Sequence, residues 1–334
     1  QRRGPDADRW PALLAALAAD PALRAAVVGP ATLVGARGSA RVPSYTAWWL
    51  RRELDAAGPW ADPDAGPAVG ALLPPGPAVL RTADPGLRAA LGAVRDLDSL
   101  DASVVGTVLD RLTDDDLALD TATALRLWAT LARVAAEAGD TLDTDDGPPG
   151  RVLAVGTGDG AGAARTRVVD AASAAVVGSP QHLQPGLLAA HGVTGAVVVA
   201  ADRAAREALA DLLDVPLAED VVRGVVAEDG DAAGERTDVP DAVRHLLPDA
   251  PATWCEHEVL RVDGVEVDWW VDGPRTAGAA PTGPSAVVHA ATLDGLARGL
   301  AAAAGAWSRR SGVAAVLEDP AALGAQLVDD AFGG

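Results

Sequence analysis

Cys255, His257, Asp268 and Asp272 are the residues whose types and spacing could do chemistry together. A thiol beside an imidazole, with a carboxylate to orient the ring, is how a nucleophile is activated by a general base. The same thiol and imidazole are also two members of a zinc set, which needs further ligands. The candidate catalytic residues are therefore Cys255, His257 and Asp268. Against that chemistry, a nucleophile and its base usually come from separate segments, and a lone buried cysteine more often acts as a small inert hydrophobe.

The element that would position them runs from Trp254 to Val271 and holds the sole cysteine, three of nine tryptophans and one of five histidines. Apolar and charged residues alternate on both sides of Asp263-Gly264. That pair suits a two-residue turn with φ > 0 at both central positions. The turn sets a hairpin register in which Val262 faces Val265, Arg261 faces Glu266, Leu260 faces Val267, Glu258 faces Trp269 and His257 faces Trp270. Alternation then puts Trp254, Leu260, Val262, Val265, Val267, Trp269 and Val271 on a core face. Cys255, His257, Val259, Arg261, Glu266, Asp268, Trp270 and Asp272 share the other. Glu256 and Glu258 fall on the core face, where a carboxylate needs water or a partner; the open end of the hairpin supplies water.

A second cluster lies at Tyr45, Trp48, Trp49 and Arg52, on a helix that Ser44 is placed to cap. Three large aromatics within five residues must find cover. Docking the helix onto its own core is the simplest cover, and a partner surface is the other, so these four are the candidate partner-binding residues.

Composition bounds what surrounds these clusters. The chain has 334 residues, 49% of them hydrophobic, enough for two domains. Lys, Asn, Ile and Met are absent, and Tyr and Phe occur once each. All six have AT-rich codons, so the gaps reflect a GC-rich genome more than a function. With no Met, Gln1 is expected to be internal to a longer product. Net charge is −20, but Gln1–Arg52 carries 8 Arg and 3 Asp (+5), leaving 19 Arg against 44 carboxylates (−25). Most of such a surface repels a phosphate backbone, which argues against nucleic acid. No run approaches a membrane span. A lone cysteine suits a reducing, cytoplasmic setting.

Along the chain, the reading is an α+β fold: a helical domain over 1–145, then a mixed domain over 146–334 with antiparallel hairpins around the central one at 254–271. Helices are expected near Asp8–Trp10-Pro11, up to Val28, and over Pro85–Ala93, Ala102–Leu112 and Thr121–Ala138, the last with Leu125, Trp128, Leu131 and Ala135 at helical spacing. Asp114-Asp115-Asp116 reads as a solvated helix start, not a cation site. Gly156–Gly162 lies between two strand patterns. It reads as a hairpin tip, because a phosphate loop would open a helix instead. Val287–His289 reads as a short strand, and Thr292 as the cap of a helix reaching about Arg309. His182, His191, His245 and His289 are scattered singles. No Gly-x-Ser-x-Gly, Cys-x-x-Cys or His-x-x-x-His is present.

Four segments, Ser44–Arg51, Ser179-Pro180-Gln181-His182-Leu183-Gln184, Trp254–Glu258 and Val265–Trp270, resemble the C-terminal half of a group of actinobacterial proteins. Those proteins carry an N-terminal sacsin-type ATPase-like domain of the heat-shock-chaperone, gyrase and histidine-kinase superfamily. The resemblance covers about Arg41 to Leu317. It implies an ATP-binding domain outside this chain and a chaperone-like role. The superfamily's magnesium-binding Asn has no counterpart here, and Asp159-Gly160-Ala161-Gly162 departs from its Asp-x-Gly-x-Gly loop, so no ATP-site residue carries over. The expectation is a non-catalytic, partner-binding region, with no cofactor or metal of its own. Its partner would be its own N-terminal domain or a protein client. The alternative is a cysteine- or metal-dependent enzyme on the hairpin face.

Overall fold

A computed structural model describes residues 9–35, 38–54, 56, 58–139, 142, 147–156, 165–227, 234–273 and 282–332. The fold is α+β, and the chain divides into two compact units, Gln1–Leu153 and Ala154–Gly334.

The first unit is mainly helical. Its elements are α1 (Trp10–Ala19), α2 (Pro21–Val28), β1 (Ala31–Gly35), β2 (Gly38–Val42), α3 (Tyr45–Glu53), β3 (Trp60–Ala61), α4 (Pro67–Leu72), α5 (Pro85–Ala90), β4 (Ala93–Val94), α6 (Val105–Leu112) and α7 (Thr121–Ala138). Side-chain caps start several helices: Asp20 for α2, Asp84 for α5 and Asp120 for α7. Pro11 sits in the first turn of α1, and Asp8 lies outside the described residues. One core gathers Trp10, Leu14, Val27, Ala47, Leu50, Trp60, Leu80, Leu87 and Leu91. In α7, Leu127, Trp128, Leu131 and Ala135 are buried, whereas Leu125 faces out, one position off the buried stripe.

Two arginine clusters brace this unit. Buried Arg88 gives Nε to Asp62 at 2.8 Å and a second N–H to the same carboxylate at 3.0 Å. Its remaining N–H groups reach Asp64 and the carbonyls of Arg81 and Ala83, so every donor of the guanidinium is used. The Asp114–Asp116 run is a turn, not a helix start. Asp114 and Asp116 pair with Arg111, and Asp115 with Arg151. The helix begins later because Asp120, not the run, offers the cap.

The second unit holds two four-stranded sheets. The first has the order β6 (Thr166–Asp170), β5 (Arg151–Gly156), β8 (Gly195–Val198), β7 (Ala174–Val177), with β8 antiparallel to β5 and parallel to β7. The expected glycine-rich tip between β5 and β6 falls at 157–164, outside the described residues. Short α8 (Leu187–Ala190) precedes β8, and α9 (Arg203–Leu213), capped by Asp202, follows it. Next come α10 (Ala218–Val221), β9 (Glu235–Asp238), α11 (Asp241–Leu246), β10 (Thr253–Glu256), β11 (Arg261–Val262), β12 (Val265–Glu266), β13 (Trp269–Asp272) and β14 (Val287–Ala290). The chain closes with α12 (Leu293–Ala303), α13 (Arg310–Glu318) and α14 (Leu323–Phe332). Thr292 caps α12, which stops at Ala303 because Gly305 turns the backbone to φ 66°.

The central hairpin is a correction. Its tip is as read: Arg261 pairs with Glu266 and Val262 with Val265, and Asp263 and Gly264 have φ 51° and 81°. Val267 N–H still bonds Leu260 C=O at 3.0 Å. Beyond that the arms part, and β10 and β13 are not partners. The second sheet has the order β13-β14-β10-β9, so β14 lies between them, antiparallel to β13 and parallel to β10. The physical reason is burial on both sides of β13. Trp269 and Val271 join Trp254, Val288, Ala290 and α12 in one core. Trp270 joins Leu260, Val262, Val267, Leu187 and Val193 in another. A hairpin arm with one wet face could not satisfy both sets. Glu256 and Glu258 are exposed, as the water-facing reading had them.

Among the described residues, no single helix is long and apolar enough to cross a membrane.

Candidate functional site

The chemistry-bearing side chains lie on one side of the second sheet. Opposite strands put paired residues on the same face. Cys255 is in register with His289 on one side and Arg236 on the other, and His289 with Trp270. Trp254, Val288, Trp269 and Val271 point the other way, into the α12 core. The faces expected within β10 and within β13 thus hold, although β14 separates the strands, but Leu260, Val262, Val265 and Val267, expected beside Trp254 and Trp269, pack instead with Trp270.

Just past β10, the His257 amide donates to Ala290 C=O at 3.0 Å, which keeps its ring on the same face. His257 Nε2 meets His289 Nδ1 at 2.9 Å, with ring centroids 5.2 Å apart. The residues are only 4% and 9% exposed. Across this contact one ring must donate and the other accept. Burial pushes His289 down to about 4, and the neighbouring His257 adds to the shift; Asp272 pulls the other way. Gly234 passes against His257 so closely that a Cβ would sit 2.6 Å from Cε1.

Cys255 is half-buried and free. Asp268 is exposed, in the bend before β13, and does not join a triad; its backbone is what the fold uses. Its N–H donates to Gln184 Oε1 at 3.0 Å, and its C=O accepts from Ala291 N–H at 3.0 Å. Gln184 Oε1 also accepts from Trp269 N–H at 3.2 Å, Gln184 Nε2 donates to Trp269 C=O, and Gln181 Oε1 accepts from Val271 N–H at 3.2 Å. The 179–184 segment thereby covers the free edge of β13 with side chains where a strand would otherwise be needed. His182 adds an edge-on contact to Trp270, 5.7 Å between centroids.

The turn residue Asp263 has a second task. Its carboxylate accepts the N–H groups of Arg223 (2.8 Å), Gly224 (3.1 Å) and Val225 (2.9 Å). Burial works against the charge, but these amides and nearby His191 outweigh it and hold Asp263 below the usual carboxylate range.

No protein-family model, no curated protein and no solved structure matches this chain. What the arrangement can do follows from its own chemistry. The His257–His289 contact uses one ring nitrogen of each residue and leaves the other nitrogen of the donor ring as an acceptor, so the contact alone does not decide whether the pair could serve Cys255 as a base. Among the described residues, no group of three or more His, Cys, Asp or Glu side chains is placed to hold a metal ion. The sequence missed the pair because its members are 32 residues apart; the one signal was a histidine ending the apolar run Val287-Val288.

The second cluster sits on α3. Ser44 Oγ accepts Ala47 N–H at 3.0 Å and donates to Val27 C=O at 3.0 Å, which caps α3 and ties it to α2. Ala47 and Leu50 point inward. The aromatics do not dock the helix, contrary to the simpler expectation: Tyr45, Trp48 and Trp49 are 76%, 49% and 37% exposed. The inward face of a nine-residue helix is already filled by Ala47, Leu50 and Leu54, leaving positions 45, 48, 49 and 52 outside. Tyr45 and Trp48 lie 5.6 Å apart, Trp49 lies 6.5 Å from Trp10, and the Arg52 guanidinium covers the Trp48 ring at 5.7 Å. Elsewhere in this unit are two open grooves of about 440 and 450 Å³, one beside α1 and one around Trp60 and four prolines, without convergent polar groups.

Proposed function

We propose that this chain is a non-catalytic, partner-binding region of a chaperone-like ATPase protein, and that the outer face of α3 is its contact surface. One observation carries the reading: three large aromatics stand exposed on one short helix, capped by an arginine over a ring. Tyr, Trp and Arg in such a cluster are the side chains that dominate protein interfaces. The ATP-binding domain of the sacsin type, and a cytoplasmic setting, belong to this proposal and rest on the resemblance of the four segments. The partner is that ATPase-like domain or a client protein.

The test is a pull-down of the separately expressed ATPase-like domain by this chain, with and without ATP, using wild type and Trp48→Ala. Association that Trp48→Ala abolishes supports the reading; no association in any nucleotide state counts against it.

A second reading, a thiol- or metal-dependent enzyme on the β10–β14 face, draws on Cys255 lying in register with His289. It is the weaker one, since the Asp268 carboxylate is exposed in the bend before β13 and, among the described residues, no three metal-ligating side chains gather there. Metal analysis and thiol labelling decide it: a metal-free protein whose Cys255 reacts only after unfolding ends the idea.

A further inference from the structure

We infer that the α3 face takes an acidic amphipathic segment of another protein, with carboxylates bracketing aromatic or aliphatic side chains. The inference rests on the partner-binding reading above and adds the partner's chemistry. Two exposed arginines belong to the elements that carry the aromatic cluster, α3 and the start of α1. Arg52 lies over Trp48. Arg9 is exposed at the start of α1, next to the Trp10 whose ring meets Trp49. Six other arginines of this unit, at 24, 88, 111, 126, 133 and 151, each hold a carboxylate. Among the described residues, Arg9, Arg51, Arg52, Arg81 and Arg95 have no such partner, and of these five Arg52 is the one held over an indole. In the sequence, the stretch Gln1–Arg52 is +5 in a chain of −20. A cation held against an indole with its charge unpaired is ready for a carboxylate that arrives with an apolar neighbour.

Charge also separates this partner from an anionic bilayer. A bilayer is an extended sheet of negative charge and would meet the field of the whole acidic chain, whereas a short acidic segment meets only the local patch. A second copy of the chain would bring the same net −20 against −20.

The experiment uses the full 334-residue chain and three fluorescein-labelled peptides: an acidic amphipathic one with Asp and Glu between Leu and Trp, its Arg-substituted counterpart, and a Ser-substituted one. Anisotropy is read at low and high salt. The acidic peptide is expected to bind most tightly and to weaken with salt. Trp48→Ala abolishes binding. Arg9→Glu with Arg52→Glu weakens the acidic peptide by roughly five- to tenfold, as two partly exposed charge pairs should, and makes the Arg peptide the better ligand. If the double variant leaves affinity and salt dependence unchanged while Trp48→Ala still abolishes binding, the acidic chemistry is wrong and the partner-binding reading stands. If no peptide binds, or if Trp48 is needed instead for attachment to anionic vesicles or for self-association in sedimentation, the inference is overturned.

Discussion

Acid should loosen the second unit through His289, and the size of the effect can be worked out. The folded chain keeps this imidazole neutral, with its pKa at about 4. In the unfolded chain it titrates near 6.5. Between those values the unfolded state binds the proton and the folded state does not, so stability falls as pH drops from about 6.5 to about 4 and levels off below. With one group and this shift, the loss between pH 7 and pH 5 is about 2 kcal/mol, rising to about 3 kcal/mol at pH 4. The assay is guanidinium unfolding at pH 7 and pH 5 for wild type and His289→Gln. Amide exchange of the β14 peptide, read in parallel, assigns the change to this unit. Glutamine keeps a hydrogen-bonding group toward His257 but cannot titrate. The wild type should lose about 2 kcal/mol more than the variant between the two pH values. Equal losses would refute the claim that buried His289 must stay neutral.

Other consequences are purely steric or hydrogen-bonded. Gly295→Ala places a Cβ 2.3 Å from the Asp268 carbonyl, a backbone atom that cannot swing away. It should cost about 1–3 kcal/mol in chemical denaturation. Gln184→Leu strands the part-buried N–H of Asp268 and the buried N–H of Trp269; the buried unmet donor alone costs about 1–3 kcal/mol, and exchange of those amides should accelerate. Asp263→Asn tolerates the positive φ but removes the charge that gathers three amides. It should destabilise by about 1–2 kcal/mol at pH 7, with the difference from wild type vanishing as Asp263 becomes protonated at low pH. Trp48→Ala, on an exposed face, should change stability by no more than about 0.5 kcal/mol, separating its effect on binding from folding.

What the sequence revealed, and what it hid, follows contact range. The Asp263-Gly264 turn and the Ser44 and Thr292 caps are settled by side chains within three residues, and each is found where the sequence places it. Face assignment along β10 and β13 also survived, since alternation is a property of each strand alone. Pairing did not survive, because β14 enters from fifteen or more residues downstream and no local rule announces it. The same distance concealed the His257–His289 pair. Gln181 and Gln184 stood in a segment singled out by resemblance, yet their role as an edge cover depends on a strand 85 residues further on. The exposure of Tyr45, Trp48 and Trp49 was undecidable from helical spacing, since four adjoining aromatic and basic positions can face either way until the core inside is known to be full.

The insertion of β14 between β10 and β13 also sets an order of events during synthesis. Trp254, Trp269 and Val271 leave the ribosome before Val287–Ala290, the strand that both neighbours require. Until it arrives, two half-made strands present unpaired backbone and large apolar side chains, the kind of species that associates wrongly. A nascent chain stalled short of residue 290 should therefore be the form most in need of a holding chaperone.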